Sequence, residues 1–189
     1  KVNVIQILPG GVVTAKDTAE IELDANGEFV RNPEVDLVKV AVVERHQGTG
    51  NVACGFLKGY GIKEGAVALS VAHDSHNIIV VGVNDEEMEF AVNSLIEQEG
   101  GIVLVKEGKV IESMPMPIAG LMSDQSGEWV DQKLTDIHEK AYEELGICGD
   151  VEPVMTLCFM SLAVIPEIKL TDMGLFDVTT FSFIPVEVE

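Results

Sequence analysis

The side chains best suited to chemistry are concentrated in one short segment, His73-Asp74-Ser75-His76-Asn77. Two of the four histidines of the chain lie in it, beside a carboxylate, a hydroxyl and an amide. Such groups can bind a polar ligand, transfer protons or coordinate a metal ion. The segment is therefore the first candidate for a functional site.

A metal site in this segment would need at least three protein ligands. The spacing of His73 and His76 would bring them together on a helix, but apolar runs on both sides predict two strands joined by a loop. Asp74, His46 or Glu44 could complete a set in space, yet the sequence has no His-x-His, His-Glu-x-x-His or Cys-x-x-Cys pattern. We therefore expect no metal on this chain alone.

A serine protease-like relay of Ser75, His76 and Asp74 is excluded by geometry. Three successive side chains cannot line up as nucleophile, base and orienting carboxylate, and the sequence has no Gly-x-Ser-x-Gly motif. A better interpretation is that the loop presents donors and acceptors to a small polar ligand, or to a reaction centre held elsewhere. The alternative is that these residues only cap the sheet.

A second polar cluster, Glu44-Arg45-His46, directly follows the apolar run from Leu37 to Val43. Because both clusters stand at the ends of buried strands, they could share one edge of a sheet. Glu44 and Arg45 could also form a purely structural ion pair. The glycines that follow do not make a Walker phosphate loop, because the Gly-Lys-Ser/Thr ending is missing.

The pattern of apolar residues predicts the elements that position these clusters. Helices are expected to begin at Asn84 or Asp85, at Ser126 and at Pro153, the last one running towards Pro166 with Met155 among its buried residues. Because hairpins are as frequent as crossovers, we predict an α+β fold with a mixed, largely antiparallel β-sheet and about three packing helices. The predicted strands are 2–8, 12–13, 21–23, 29–30, 37–43, 67–72, 78–83, 101–105, 109–112 and one or two within 175–188.

No regular element is assigned to residues 48–65, where six glycines require unusual backbone angles or close approach. In the rest of the chain, the spacing of apolar and turn residues is regular enough to predict helices and strands. The structure of this glycine-rich stretch is the main question that the pattern leaves open.

Composition limits the classes of function. The 189 residues suit one domain, and an apolar fraction of 47% with a mean hydropathy of +0.25 excludes disorder. A net charge of −20 has the wrong sign for a nucleic acid polymer or an anionic membrane surface. The three cysteines are widely spaced, as in reduced cytosolic proteins. The chain begins at Lys1 without a signal-peptide pattern, so we expect a fragment of a longer cytoplasmic protein.

Several motifs also carry a family resemblance when taken in their order along the chain. They are Ala41 to His46 with Gly48-Thr49-Gly50-Asn51, then Ser70 to Asn77, Asn84-Asp85, Pro117 to Ser123 and Pro166 to Asp172. In this order they resemble the carboxy-terminal domain of bacterial and archaeal adenine deaminase. The resemblance covers nearly the whole chain.

The resemblance implies a member of the amidohydrolase superfamily that hydrolyses adenine to hypoxanthine and ammonia. In such enzymes a divalent metal, Mn, Fe or Zn, activates the attacking hydroxide and is held by a TIM-type barrel. That barrel would precede this segment, so we expect the isolated chain to be inactive. The expected partners are the barrel, adenine and further copies of the enzyme in a homo-oligomer.

The resemblance also suggests which residues line the site and where the domain begins. His73, Asp74 and His76 are the candidate catalytic residues. Residues 36–189 would be the adenine deaminase carboxy-terminal domain, and residues 1–35 a β-rich opening segment that could be the tail of the preceding region. The candidates for substrate binding are Ser75, Asn77, Glu44, Arg45 and His46.

Two other functions stay open at this point. One is a non-catalytic module for binding a small ligand or for assembly, which an initiator codon close to Lys1 would favour. The other is a self-sufficient metal hydrolase, which predicts stoichiometric metal in the purified 189-residue protein. A reading frame upstream that encodes a barrel with His-x-His would favour the deaminase.

Overall fold

A computed structural model describes residues 1–188 as an α+β fold built on one eight-stranded sheet. The helices are α1 (Asp85–Glu97), α2 (Gly127–Glu143) and α3 (Pro153–Cys158). The strands are β1 (Val2–Ile7), β2 (Thr14–Ala19), β3 (Glu22–Leu23), β4 (Phe29–Val30), β5 (Leu37–Val43), β6 (Val52–Lys58), β7 (Ala66–Leu69), β8 (Ile78–Gly82), β9 (Gly101–Lys106), β10 (Lys109–Pro115), β11 (Ile168–Thr171), β12 (Gly174–Asp177) and β13 (Ser182–Phe183).

The large sheet has the strand order β10-β9-β7-β8-β5-β6-β1-β2. Its neighbouring strands are antiparallel except for β1 and β6, which run parallel. Strands β11, β12 and β13 form a small separate sheet, and β3 pairs with β4. The predicted α+β class, with a mixed and largely antiparallel sheet and three helices, is confirmed.

The helices cover both faces of the large sheet, so the central strands are buried on both sides. On one face, Met88, Ala91 and Leu95 of α1 pack in a cluster with Ala41 of β5. On the other face, residues of α2 and α3 join a cluster that contains Val40 of β5. The residues of β5 therefore contribute alternately to two cores, which is why this strand is apolar almost without interruption.

The predicted helix starts are confirmed by their caps. Asn84 Oδ1 accepts the backbone N–H of Glu87 at 2.8 Å, and Ser126 Oγ accepts that of Trp129 at 3.3 Å. These side chains satisfy amide groups that the first turn of a helix leaves without a partner. Pro153 occupies the first turn of α3, where its missing N–H costs nothing.

The predicted extent of the third helix is wrong. Helix α3 ends at Cys158, and Met155 is 54% exposed rather than buried. The cause is a competing hydrogen bond, because the carbonyl oxygen of Cys158 accepts the backbone N–H of His73 at 2.8 Å instead of continuing the helix. The end of α3 is thereby tied to the His73–Asn77 loop.

Three strands differ from the predicted pattern. Residues 12–13 are not a strand, and β2 begins at Thr14, because its polar edge residues such as Lys16 and Asp17 give no apolar run. Strand β6 lies inside the glycine-rich stretch, where Gly55 packs beside the side chain of Leu170. Strand β11 was not predicted.

The division into residues 1–35 and 36–189 stays a prediction. Within the described residues, β1 lies inside the large sheet between β6 and β2. A search of residues 1–188 finds no helix with the length and apolar character needed to cross a membrane.

A candidate ligand-binding site at one edge of the sheet

Strand pairing brings the two polar clusters to the same edge of the large sheet. Val43, at the end of β5, pairs with Ile78 at the start of β8 and with Val52 at the start of β6. The residues that follow Val43 and those that precede Ile78 must therefore leave the sheet side by side. We call residues 44–51, 70–77 and 116–122 together the loop edge.

Arg45 joins the three loops of this edge. Its Nε donates a hydrogen bond to the carbonyl oxygen of His76 at 2.5 Å, and its Nη2 donates one to the carbonyl oxygen of Ala119 at 2.9 Å. Its backbone N–H donates to Oδ1 of the buried Asn77 at 3.3 Å. The guanidinium thus satisfies backbone acceptors with its fork of donors.

Glu44 organises its own loop. Its carboxylate accepts the backbone N–H groups of His46 at 2.5 Å, Gln47 at 2.7 Å and Thr49 at 3.0 Å, together with the hydroxyl of Thr49. These bonds, led by the Thr49 N–H, lower the pKa of the Glu44 carboxyl to about 2. In the described residues Glu44 makes no salt bridge with Arg45, so the structural ion pair considered from the sequence is wrong.

His46 reaches across to the other loop. Its Nε2 lies 2.7 Å from the carbonyl oxygen of Ser75. Because a carbonyl oxygen can only accept, this nitrogen must carry the proton and donate it. The hydroxyl of Ser75 in turn accepts a long bond from the backbone N–H of Asn77, at 3.4 Å.

His73 and His76 lie side by side, with ring centroids 5.4 Å apart and planes at 67°. Phe159, just beyond α3, packs against the His73 ring at 4.9 Å. The pKa of His76 is lowered, first by burial and then by the neighbouring His73 and Arg45. Its Nδ1 is buried and has no hydrogen-bond partner among residues 1–188.

Asp74 and Ser75 are exposed at the tip of the loop. Of the candidate catalytic residues, Asp74 is exposed, and His73 and His76 are half-buried with their rings side by side. The loop edge can form one wall of a binding site, with donors and acceptors facing outwards.

The role of Ser70, a fully buried residue of the loop edge, was not predicted. Its hydroxyl donates to the carbonyl oxygen of Gly120 at 2.6 Å and accepts the backbone N–H of Gly101 at 2.8 Å. An added Cβ at Gly100 would lie 2.6 Å from the Cα of Gly120, so these loops pack backbone against backbone. A serine that ends an apolar run was the one available signal.

The metal-binding capacity of the described residues is limited. Among residues 1–188, no group of three or more His, Cys, Asp or Glu side chains is placed to hold a metal ion.

This chain is similar to one domain of several known proteins. The sequence model of the adenine deaminase C-terminal domain matches residues 11–182. A protein of Desulfotalea psychrophila named adenine deaminase 2 is 70% identical over 98% of this chain and 32% of its own length. Adenine deaminases of Ligilactobacillus salivarius and Bacillus subtilis are 49% and 46% identical, over 100% and 99% of this chain. The chain spans about a third of the length of these curated relatives.

Proposed function

Because this chain belongs to the adenine deaminase C-terminal domain family, we propose that it forms one wall of the active site of a longer adenine deaminase. The longer enzyme hydrolyses adenine to hypoxanthine and ammonia. Residues 36–189 close over the mouth of a TIM-type barrel in the same polypeptide, and residues 1–35 connect to it. A divalent metal, Mn, Fe or Zn, is held by the barrel and supplies the activated water.

The observation that carries this proposal is the convergence of two polar clusters at the loop edge. The charged side chains of Arg45 and Glu44 form hydrogen bonds with backbone groups and thereby hold the shape of the loop edge. The half-buried rings of His73 and His76 lie beside each other, next to the exposed Asp74. A surface built in this way can present neutral and acidic groups to a bound base or to the attacking water.

The contacts of the individual residues support the following roles. His73, Asp74 and His76 contact the purine or the water, and Ser75 offers its hydroxyl at the exposed tip. Four further residues position these groups and hold the shape of the substrate-binding wall, namely Glu44, Arg45, His46 and Asn77. The partners of the domain are the barrel, adenine and the other copies in a cytoplasmic homo-oligomer.

Steady-state kinetics of the full-length enzyme test the proposal. His73→Ala and His76→Ala should each lower kcat/KM for adenine at least tenfold, about 1.4 kcal/mol of barrier. His138→Ala is the matched control, because His138 lies on α2 and is bonded to Leu134 and Glu152 instead of the loop edge. Wild-type kinetics in both loop variants would contradict the proposal.

The isolated chain provides a second test of the same proposal. The 189-residue protein should fold and show no turnover of adenine, while the full-length enzyme is active under the same conditions. Turnover by the isolated chain would show that the nucleophile does not depend on a barrel, and the proposal would then be wrong.

A further inference from the structure

The ring of His76 is held in place by its own backbone. The residue has a φ of +54°, a left-handed angle that non-glycine residues seldom adopt. Its N–H donates to the carbonyl oxygen of Ala72 at 2.6 Å, and its carbonyl oxygen accepts from Arg45 Nε at 2.5 Å. The ring is therefore positioned without using either of its nitrogens.

The two ring nitrogens of His76 have different surroundings. Nδ1 is buried and has no hydrogen-bond partner in the described part of the chain. Nε2 also makes no hydrogen bond within residues 1–188, but it is not among the buried unpaired atoms, so it reaches solvent. A ligand at the loop edge can therefore approach Nε2 and not Nδ1.

This difference decides where the proton sits. A proton on Nδ1 would bury an N–H group without an acceptor, and such orphaned donors are rarer in proteins than orphaned acceptors. The charged imidazolium carries a proton on both nitrogens, so it would also bury an unpaired N–H group at Nδ1. Burial is the main cause that lowers the pKa of His76, and the neighbouring His73, Arg45 and His46 lower it further, while Asp74 raises it. The favoured form is the neutral ring with the proton on Nε2.

The other charged groups at the loop edge point to the kind of ligand. The guanidinium of Arg45 is occupied by the carbonyl oxygens of His76 and Ala119, and Nε2 of His46 by that of Ser75. The exposed carboxylate of Asp74 would repel an anionic ligand such as a phosphate or a carboxylate. The edge therefore suits an uncharged ligand that has acceptor atoms.

We propose that His76 stays neutral and donates a hydrogen bond from Nε2 to an acceptor ring nitrogen of a neutral heteroaromatic base. This inference rests on the proposed function, since the purine ring of adenine offers such nitrogens. It makes His76 a residue that binds and orients the base, and it excludes His76 as the group that removes or delivers a proton during the reaction.

The protonation of His76 can be measured without catalysis. Nitrogen-15 spectra of the 189-residue chain, labelled at histidine, distinguish the two neutral tautomers and the imidazolium of each ring. The His76 signals are identified by their loss in His76→Gln. At about pH 7.5 we expect an unprotonated Nδ1 and a protonated Nε2. A proton on Nδ1, or a charged ring at this pH, would overturn the proposal.

Two substitutions then separate the nitrogens in the full-length enzyme. The amide of His76→Gln places an N–H near the position of Nε2, whereas the amide of His76→Asn reaches only the position of Nδ1. Asn also tolerates the left-handed backbone at this site. We expect the KM for adenine to stay within about threefold in His76→Gln and to rise about tenfold in His76→Asn, the loss of one hydrogen bond.

The kinetic outcomes also distinguish this proposal from the proposed function. Equal rises of KM in both variants, or a fall in kcat with unchanged KM, would overturn the donor role. If the wild-type full-length enzyme does not turn over adenine, the proposed function fails by itself. In that case the tautomer spectrum still decides whether His76 presents the neutral donor.

Discussion

The guanidinium of Arg45 holds the carbonyl oxygen of His76 at 2.5 Å, so the orientation of the His76 ring depends on a residue 31 positions earlier in the chain. The same side chain also holds the carbonyl oxygen of Ala119. Arg45 is therefore a brace between loops, and its charge is directed at the protein backbone.

Replacing Arg45 by Lys should loosen the loop edge. An ammonium cannot reproduce the fork that serves both carbonyl oxygens, so the unfolding free energy should fall by about 1–3 kcal/mol. In the full-length enzyme kcat/KM for adenine should fall about tenfold, because a small misplacement of binding groups is costly. Chemical denaturation and steady-state kinetics measure the two effects.

The control for this prediction is Arg31→Lys. Arg31 also donates to a backbone carbonyl, that of Ile62 at 3.0 Å, but it is remote from the loop edge. It should lose stability without losing activity. Equal activity in Arg31→Lys and Arg45→Lys would argue against the brace.

Glu44 should make the stability of the fold depend on pH in the acidic range. Its carboxyl has a pKa of about 2 in the folded protein, against an ordinary value of 4.5. A lowered pKa means that the carboxylate stabilises the fold fully above about 4.5 and progressively less as the pH falls towards 2. Glu44→Gln should therefore be less stable than the wild type at pH 7 and equal to it near pH 2.

Urea denaturation at a series of pH values measures this difference. The control is Glu34→Gln, since the exposed carboxylate of Glu34 accepts no hydrogen bond within the described residues. Its stability relative to the wild type should not change over the same range. A constant difference for Glu44→Gln across the range would contradict the role of the carboxylate.

Ser70→Ala should lower the stability of the fold markedly, although it removes only one oxygen atom. The hydroxyl serves the carbonyl oxygen of Gly120 and the N–H of Gly101, and both would stay buried without a partner. We expect a loss of about 1–3 kcal/mol in the unfolding free energy. The control Ser94→Ala, on the partly exposed surface of α1, should be neutral or slightly stabilising because alanine favours helices.

Lys169 should make stability rise with pH in a second window, at alkaline pH. Its side chain is fully buried, and within residues 1–188 its Nζ donates only to the carbonyl oxygen of Val12. Burial lowers its pKa to about 8 from 10.5. Between these values the unfolded chain keeps a proton that the folded chain has released. The unfolding free energy should therefore rise as the pH rises through this window.

Lys169→Met should abolish this rise, and denaturation curves from about pH 7.5 to pH 10.5 would show it. The exposed Lys109 provides the control, since Lys109→Met keeps the buried ammonium and should keep the slope. Parallel slopes in the wild type and Lys169→Met would show that another group is responsible.

Much of the central fold could be predicted from the sequence, because strands that are buried on both faces consist almost entirely of apolar residues. The predicted strand at Leu37–Val43 matches β5 because its residues face two cores in turn. Strand β2 escaped prediction because it lies at the edge of the sheet, where polar residues such as Lys16 are tolerated. Strand β6 was obscured by glycines that serve turns and close packing.

The candidate site could be predicted in its members but not in its contacts. The His73–Asn77 loop and Glu44-Arg45-His46 stood out by residue type, and their common edge followed from the strands. The bond from Arg45 to Ala119 joins residues 74 positions apart. Local spacing carries no information about such contacts, and for the same reason the supporting role of Ser70 was not predicted.

The three-loop brace has a consequence for the order of events during protein synthesis. Residues 45, 76 and 119 meet only after strands β5, β8, β9 and β10 have found their places in the sheet. A growing chain that has not yet released residue 119 from the ribosome lacks one anchor of the loop edge. The loop edge is therefore completed late, and its backbone amides should be among the last to gain protection from hydrogen exchange.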